Sequence, residues 1–179
     1  MKNSLLLSGL FFGVLFLSST DSRAQWQPDV RLTNDPADSY TSLNNAWSIA
    51  ASGNVVHVVW YDYRNGVNPE IYYKRSTDGG TSWGADTRLT NDPATSNYAS
   101  VSVSGLLVHV VWQDTRDGTP NVEIYSKRST DGGTSWGPDT RLTNDPAFSN
   151  YPSGAVSGLV VHVVWQDVRD GNREIYYKR

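Results

Sequence analysis

The stretch Val56-His57-Val58-Val59-Trp60 decides how this chain folds, because it occurs three times. It returns at 108–112 and at 161–165, at steps of 52 and 53 residues. A return at such a period is typical of proteins built from repeated supersecondary units. Valine and tryptophan favour β-strands, and the stretch is apolar at nearly every position rather than alternating. It therefore predicts a strand that is covered on both faces.

Other segments recur in the same register. Arg-Leu-Thr-Asn-Asp-Pro stands at 31–36, 88–93 and 141–146, and Glu-Ile-Tyr stands at 70–72, 123–125 and 174–176. Each repeat reads as four short strands separated by turn residues. Strand A is expected near 46–51, 99–104 and 152–157. Strand B ends at the tryptophan of Val-His-Val-Val-Trp, and strand C begins at the glutamate of Glu-Ile-Tyr. Strand D leads into Arg-Leu-Thr. The prediction is an all-β fold, a β-propeller of four-stranded antiparallel blades.

The predicted blades do not begin and end with the chain. Residues 26–33 match 83–90 position for position, so a lone strand D is expected at 25–34. Three blades then follow, at about 35–91, 92–144 and 145–179, and the last one stops on strand C. Three blades are fewer than the four to eight that surround a propeller channel. Half of a six-bladed ring is expected, completed either by a second copy in a homodimer or by the rest of a longer protein.

The first 24 residues have the features of a signal peptide. Lys2 precedes an apolar stretch at 5–17, and small residues before Ala24 suit cleavage there. The sequence thus predicts that a mature protein of residues 25–179 is secreted into the periplasm or the extracellular space. It contains no cysteine, so packing rather than disulfides must stabilise it. A net charge of −3 without a basic stripe argues against nucleic-acid and membrane partners.

The turn Ser-Thr-Asp-Gly-Gly-Thr-Ser-Trp, at 76–83 and 129–136, resembles the Asp box, or BNR repeat, of sialidases and related propellers. The resemblance implies a structural turn between strands C and D, on the side away from the active site. The aspartate would bind backbone N–H groups of its own turn, and the tryptophan would fill the gap between sheets. Ser82 and Ser135 stand where the family usually has threonine. The matching residues are Ser76, Asp78, Gly80 and Trp83, then Ser129, Asp131, Gly133 and Trp136.

The candidate binding face is the opposite one, formed by the loops that lead into strand A and those that join strand B to strand C. From the Arg-Leu-Thr arginine to the strand B tryptophan the spacing is 29 residues in the first repeat and 24 in the others. Variable loops on a rigid scaffold often carry function. The candidates are Asp62, Arg64 and Glu70, Asp114, Arg116 and Glu123, Asp167, Arg169 and Glu174, with Tyr40, Tyr98 and Tyr151.

Two interpretations of these residues stay open. Arginines with nearby tyrosines suit a sugar or a sialic acid carboxylate, through bidentate hydrogen bonds and stacking. Alternatively, the aspartate, arginine and glutamate form one salt-bridged B–C turn in every blade. The second is favoured, because a catalytic centre needs different residues from different blades. His57, His109 and His162 lie within strand B and are expected to be buried in blade packing.

The resemblance also implies what an enzyme of this kind would require. Sialidases of the family use an arginine triad, an aspartate acid/base, a tyrosine nucleophile assisted by glutamate, and an Arg-Ile-Pro motif. The sequence has no Arg-Ile-Pro. The favoured prediction is therefore a non-catalytic module that binds glycans or other extracellular ligands, with no cofactor or metal ion. An exo-sialidase and a purely structural repeat remain the alternatives.

Overall fold

The computed structural model describes residues 26–42, 47–118 and 121–179, so the predicted signal peptide lies outside the described residues. The chain divides into two compact units, 1–31 and 32–179. In the first unit, residues 26–30 are exposed and have no helix or strand. The second unit contains all the strands described below. No helix of the described ranges is long and apolar enough to cross a membrane.

The second unit consists of short antiparallel strands. Their bounds, in chain order, are β1 Ser39–Tyr40, β2 Ile49–Ser52, β3 Val55–Asp62, β4 Glu70–Ser76, β5 Thr87–Arg88, β6 Ser96–Ser104, β7 Leu107–Asp114, β8 Glu123–Ser129, β9 Thr140–Arg141, β10 Ser149–Ser157, β11 Val160–Asp167 and β12 Glu174–Lys178. The fold is all-β, as the sequence predicts.

The strands form three sheets. Sheet 1 has the order β1-β3-β4-β5, with β2 also paired to β3; sheet 2 has the order β6-β7-β8-β9; sheet 3 has the order β10-β11-β12. The same register recurs in each, since Asp62 faces Glu70, Asp114 faces Glu123 and Asp167 faces Glu174. Each sheet is therefore one sequence repeat, with the Val-His-Val-Val-Trp strand at its centre.

Strand A of the first repeat does not have the residue bounds 46–51 that the sequence predicts. In sheet 1 it is split into β1 and β2, which both pair with β3. Seven residues, 41–47, separate Tyr40 from Ser48, whereas only Tyr98 and Ala99 separate the corresponding residues Asn97 and Ser100 of sheet 2. The five additional residues of the first repeat thus interrupt strand A, because a continuous ladder with β3 has no room for them.

Strand D is shorter than the sequence predicts. Only Thr87–Arg88 and Thr140–Arg141 form ladder pairs in sheets 1 and 2. Residues 26–34, predicted as a lone strand D, have no strand in the structure, and sheet 3 has three strands in the described residues. A strand requires a neighbouring edge, and none of the described ladders includes 26–34.

The core lies between the sheets. Val59, Ile71 and Tyr73 of sheet 1 pack against Val110 and Trp112 of sheet 2. In the same way, Val111 and Ile124 of sheet 2 pack against Val163 and Trp165 of sheet 3. Strand B of sheet 2 is therefore covered on both faces, as its continuous apolar run predicts. The alternate side chains of one strand serve two different interfaces.

The turns at 76–83 and 129–136 have the predicted internal hydrogen bonds. The Asp78 carboxylate accepts bonds from the N–H and hydroxyl of Ser82, at 2.8 and 2.5 Å, and Asp131 accepts the same two from Ser135, at 2.9 and 2.6 Å. Trp136 contacts the ring of Tyr73 in the preceding sheet, with centroids 4.9 Å apart. These turns stabilise themselves, and the second one also joins two sheets.

The strand B histidines differ from one another. His57 is fully buried, with its Nδ1 2.8 Å from the Tyr73 hydroxyl, and burial lowers its pKa. His109 is only half-buried, and Ser126 occupies the position that tyrosine has in the other sheets. The prediction of buried packing is thus confirmed for His57 and is too strong for His109. His162 has the same contact with Tyr177 as His57 has with Tyr73, at 2.8 Å, but is half-buried.

Candidate ligand-binding face

The three predicted Asp–Arg pairs lie in the B–C turns, one in each sheet. Each aspartate is fully buried and binds the side chain of the arginine two residues later, at 2.6 Å for Asp62, 2.7 Å for Asp114 and 2.5 Å for Asp167. Each also accepts hydrogen bonds from the tryptophan that ends strand B and from the serine that begins strand A. In sheet 2 these donors are Trp112 and Ser96, both at 2.8 Å.

The arginines of these turns also contact aromatic rings and further carboxylates. The guanidinium carbons of Arg64, Arg116 and Arg169 lie 4.3, 4.5 and 4.3 Å from the ring centroids of strand C tyrosines. Arg116 also binds Asp139 at 2.8 Å. Every one of these contacts falls within a single repeat. The geometry fits the interpretation of one salt-bridged turn in each sheet.

The glutamates have a different partner from the one expected. Glu70 binds Arg88 at 2.5 Å, and Glu123 binds Arg141 at 2.7 Å, so each fastens strand C to strand D rather than to the B–C arginine. Each glutamate does face the aspartate of its turn across the ladder, as expected, but the expectation that it joins the salt bridge of that turn is wrong for Glu70 and Glu123. Both carboxylates are buried, whereas Glu174 is exposed and accepts a bond from Asn172 at 2.6 Å. Sheet 3 has no described strand D to supply the corresponding arginine.

Two hydrogen-bonded aspartates, buried Asp62 and exposed Asp78, give the fold a defined acid sensitivity. Burial alone would raise the pKa of Asp62, but hydrogen bonds from Arg64, Ser39 and Trp60 outweigh it and lower the pKa to about 2. In Asp78, bonds from Ser82 and Ser76 also lower the pKa to about 2. A carboxyl whose pKa is lowered on folding stabilises the native state above its unfolded pKa of about 4, and that contribution is lost as the pH falls towards the folded value.

We therefore expect the free energy of unfolding to fall modestly below about pH 6.5, because the unfolded chain protonates a histidine whose pKa burial lowers in folded His57, and to fall steeply between about pH 4 and 2 as the carboxylates take up protons. Urea unfolding at a series of pH values measures this. In the variant Asp62→Asn, the slope of stability against pH in this window should be smaller than in the wild type. A stability that does not change down to pH 2 would contradict the hydrogen-bonded carboxylates.

A row of tyrosines crosses all three sheets on this same face. Tyr40 stacks on Tyr61 with centroids 5.3 Å apart, Tyr61 meets Tyr98 at 5.6 Å, and Tyr98 meets Tyr151 at 5.3 Å. Tyr63 joins the row 6.0 Å from Tyr40. We call these five residues the tyrosine row. Three of them are substantially exposed, Tyr40 by 43%, Tyr63 by 37% and Tyr151 by 38%.

The backbone holds two members of the tyrosine row in an unusual conformation. Tyr98 and Tyr151 have φ of 53° and 54°, and among the described residues they are the non-glycine residues with positive φ. Each lies where the pairing of strand A with strand B shifts register. A bulky residue in the left-handed region costs about 1–3 kcal/mol and occurs most often at functional sites. The bulge turns each ring towards the neighbouring sheet.

The sequence predicted Tyr40, Tyr98 and Tyr151 on this face but not Tyr61 and Tyr63. The signal was available in the repeats. At the position of Tyr61 the other sheets have Gln113 and Gln166, and at that of Tyr63 they have Thr115 and Val168. The first repeat thus departs from the other two by adding aromatic residues at the end of strand B, next to its split strand A. No group of three or more metal-ligating side chains was found in the ranges that the structure describes.

Solved sialidases resemble this architecture. The chain superposes on the Hadza microbial sialidase Hz136 with a TM-score of 0.56 and 15% sequence identity, over 81% of this chain and 35% of that one. The chain has a sialidase-like fold. A weaker likeness, with a TM-score of 0.41 and 17% identity, relates 73% of the chain to 22% of the NanB sialidase from Streptococcus pneumoniae. The sialidase-like domain described here thus spans about a third of the length of the Hadza sialidase. No family model and no curated protein matches the sequence.

Proposed function

We propose that the chain is a secreted, non-catalytic propeller module of the sialidase-like Asp-box type, which binds extracellular glycans through the tyrosine row. The observation that carries the proposal is the continuous contact of five tyrosine rings across three sheets, on the face where the loops vary in length. Exposed aromatic rings stack on the apolar C–H face of a sugar, and their hydroxyls bind its polar groups.

The chemistry of the tyrosine row suits neutral hydrogen bonding. Burial raises the pKa of Tyr61 and of Tyr98 above the ordinary value of 10, so both hydroxyls keep their protons at neutral pH. In Tyr40, a hydrogen bond to Asp38 also raises the pKa. Tyr40, Tyr63 and Tyr151 offer an exposed apolar ring with a hydroxyl at its edge, and Tyr61 packs behind them. Because the rings already contact one another, little side-chain freedom is left to lose on binding.

The charged candidates support binding rather than catalysis. Arg64, Arg116 and Arg169 each have a buried aspartate and a tyrosine ring as partners inside their own sheet. A substrate carboxylate would have to displace those partners. The likeness to a sialidase favours glycoside hydrolysis as the competing function. Hydrolysis of a fluorogenic sialoside by the purified wild-type chain would establish it and would overturn the proposal.

Substitution of Tyr98 tests the binding site. We expect Tyr98→Gly to weaken oligosaccharide binding by roughly tenfold or more, because one aromatic contact of this kind is lost. The protein should stay folded, since glycine at φ 53° relieves about 1 kcal/mol of backbone strain and partly offsets the lost ring packing. Titration calorimetry with a panel of sialylated and neutral oligosaccharides, chosen from a glycan array, measures the change.

Two further variants serve as controls. Tyr98→Phe keeps the ring and should retain most of the affinity, and Leu159→Ala, at an exposed turn at the far end of β10, should have no effect. A wild-type chain that binds no glycan on the array would favour a purely structural repeat. Equal affinities of Tyr98→Gly and the wild type would mean that the tyrosine row is not the site.

A further inference from the structure

The outer face of sheet 3 exposes an apolar surface whose counterparts in the other sheets are buried. Val164 is 39% exposed, Ile175 75% and Tyr177 55%. The corresponding residues of sheet 1 are Val59, Ile71 and Tyr73, all of them 1% exposed or less. We propose that a second copy of this chain covers this face. Sheet 1 of the second copy would pack on sheet 3 of the first copy, in the way that sheet 2 packs on sheet 1 within one chain.

The interface between sheets 1 and 2 serves as the template. Tyr73 of sheet 1 lies against the turn 129–136 of sheet 2, where it contacts Trp136 and leaves no space for a side chain at Gly133. Arg75 of sheet 1 donates to the Gly132 carbonyl of the same turn, at 2.9 Å. Sheet 1 has a turn of identical sequence at 76–83. That turn, in a second copy, would present Gly79, Gly80 and Trp83 to Tyr177 and Arg179.

The sheet 3 half of this contact is already formed. His162 Nδ1 lies 2.8 Å from the Tyr177 hydroxyl, and the two rings are stacked with centroids 6.0 Å apart. The buried pair His57 and Tyr73 has the same geometry, with 2.8 Å between the polar atoms and 5.9 Å between centroids. Tyr177 therefore already has the side-chain position in which Tyr73 meets the next sheet.

Sheet 1 has the complementary half on its other face. A cleft of about 160 Å³ is lined there by Leu32, Val58 and Trp60, among others. The corresponding residues in the interface between sheets 2 and 3 are Leu142, Val163 and Trp165, and they pack around Val111 and Ile124. Val164 and Ile175 of another copy are the residues that would fill the cleft, since they occupy the positions of Val111 and Ile124 in sheet 3.

The backbone around Leu32 supports the same arrangement. Lys127 donates to the Leu89 carbonyl on strand D of the preceding sheet, and Lys178 donates likewise to the Leu142 carbonyl. Lys74 of sheet 1 donates to the Leu32 carbonyl at 2.6 Å. Leu32 thus lies against sheet 1 as Leu89 lies against sheet 2 and Leu142 against sheet 3, which is the place of a strand D contributed by a neighbouring sheet.

The same segment fits the open edge of sheet 3. In sheets 1 and 2 the backbone N–H of the strand D leucine also donates to a strand C carbonyl. The Leu89 N–H binds the Ile71 carbonyl at 2.8 Å, and Leu142 binds Ile124 in the same way. In sheet 3 the corresponding isoleucine is Ile175, on edge strand β12. Leu32 of one copy would therefore bind Ile175 of the other. This pairing would also cover an edge that otherwise invites aggregation.

The number of copies follows from closure. An interface between two different faces of the same molecule forms either a closed ring or an open filament. Two copies place six sheets in a ring, within the four to eight of known propellers, whereas one copy has three and three copies would have nine. A closed dimer is therefore the expected assembly.

Light scattering of the secreted chain, coupled to size-exclusion chromatography, tests the proposal. We expect the mass of a dimer, and a monomer for Ile175→Asp and for Tyr177→Asp, because each variant places a charge in the apolar interface. Both residues are exposed in the single chain, so its folding should not depend on them. The control Leu159→Asp changes a leucine that is more exposed than either, in the turn between β10 and β11, and should remain a dimer.

Glycine variants add a test of the predicted contact. Gly80→Ala should weaken dimerisation roughly tenfold or more, because its methyl group would meet Tyr177 of the other copy as a methyl at Gly133 would meet Tyr73. Gly118→Ala has a comparable positive-φ cost, with φ of 107° against 91° at Gly80, in the B–C turn of sheet 2, where no atom lies near the added methyl group, and should leave the dimer unchanged. A wild-type monomer at every concentration would overturn the proposal, as would a dimer that survives both Ile175→Asp and Tyr177→Asp.

Discussion

Gly133→Ala is expected to lower the free energy of unfolding by about 3 kcal/mol or more. Two costs combine at this position. Gly133 has φ of 82°, a conformation that alanine adopts poorly, and its new methyl group would overlap the Tyr73 hydroxyl and press on that ring. Tyr73 cannot withdraw easily, because it is buried, bound to His57 and in contact with Trp136. Urea unfolding followed by tryptophan fluorescence measures the change.

Gly105→Ala is the matched control for the backbone cost. Gly105 also has positive φ, at 57°, and no atom lies near the place of its methyl group. The control should lose about 1 kcal/mol, the usual cost of alanine in the left-handed region. Equal losses in the two variants would mean that Tyr73 does not contact the turn of sheet 2 in solution.

Asp114→Ala should destabilise the fold by about 3–5 kcal/mol, because it removes one partner of a buried ion pair. The Asp114 carboxylate is inaccessible to solvent and holds Arg116, the Trp112 indole and the Ser96 hydroxyl. Alanine would leave all three donors without that acceptor. The fluorescence of Trp112, whose indole loses its hydrogen bond, should change in the native state.

Two variants separate charge from shape at this turn. Asp114→Asn keeps an acceptor of similar size but no charge, and its loss should lie between that of alanine and the wild type. Asp117→Ala removes an exposed carboxylate three residues away, which binds Arg141 at 3.0 Å and accepts a hydrogen bond from the Tyr125 hydroxyl at 2.7 Å, and should cost about 1–2 kcal/mol, less than Asp114→Ala. If Asp114→Ala cost no more than Asp117→Ala, the buried turn would not be a determinant of stability.

The repeat predicted the sheets well where local sequence decides the structure. The central strands and the turns at 76–83 and 129–136 follow from continuous apolar runs, glycines and short-range hydrogen bonds, all of which lie within a few residues. Strand D was predicted too long because its extent depends on pairing with strand C. Pairing is a property of the neighbouring edge and not of the Arg-Leu-Thr sequence itself.

The candidate face was predicted less completely. The partner of Glu70 could not be chosen from sequence, since Arg64 and Arg88 are equally plausible until strand D is placed beside strand C. The tyrosine row is also a product of packing between sheets, because Tyr98 and Tyr151 meet across sheets only through their positive-φ bulges. Comparison of the repeats could have found Tyr61 and Tyr63, where the first repeat replaces glutamine and threonine or valine with tyrosine.

The most direct test of the proposed binding function is a map of where a glycan touches the protein. Backbone amide shifts of the isotopically labelled, secreted chain should be recorded by NMR during titration with an oligosaccharide that the chain binds. We expect the changes to cluster at Tyr40, Tyr61, Tyr63, Tyr98 and Tyr151. Changes confined to the B–C turns at Arg64, Arg116 and Arg169, or no saturable change with any oligosaccharide, would contradict the account.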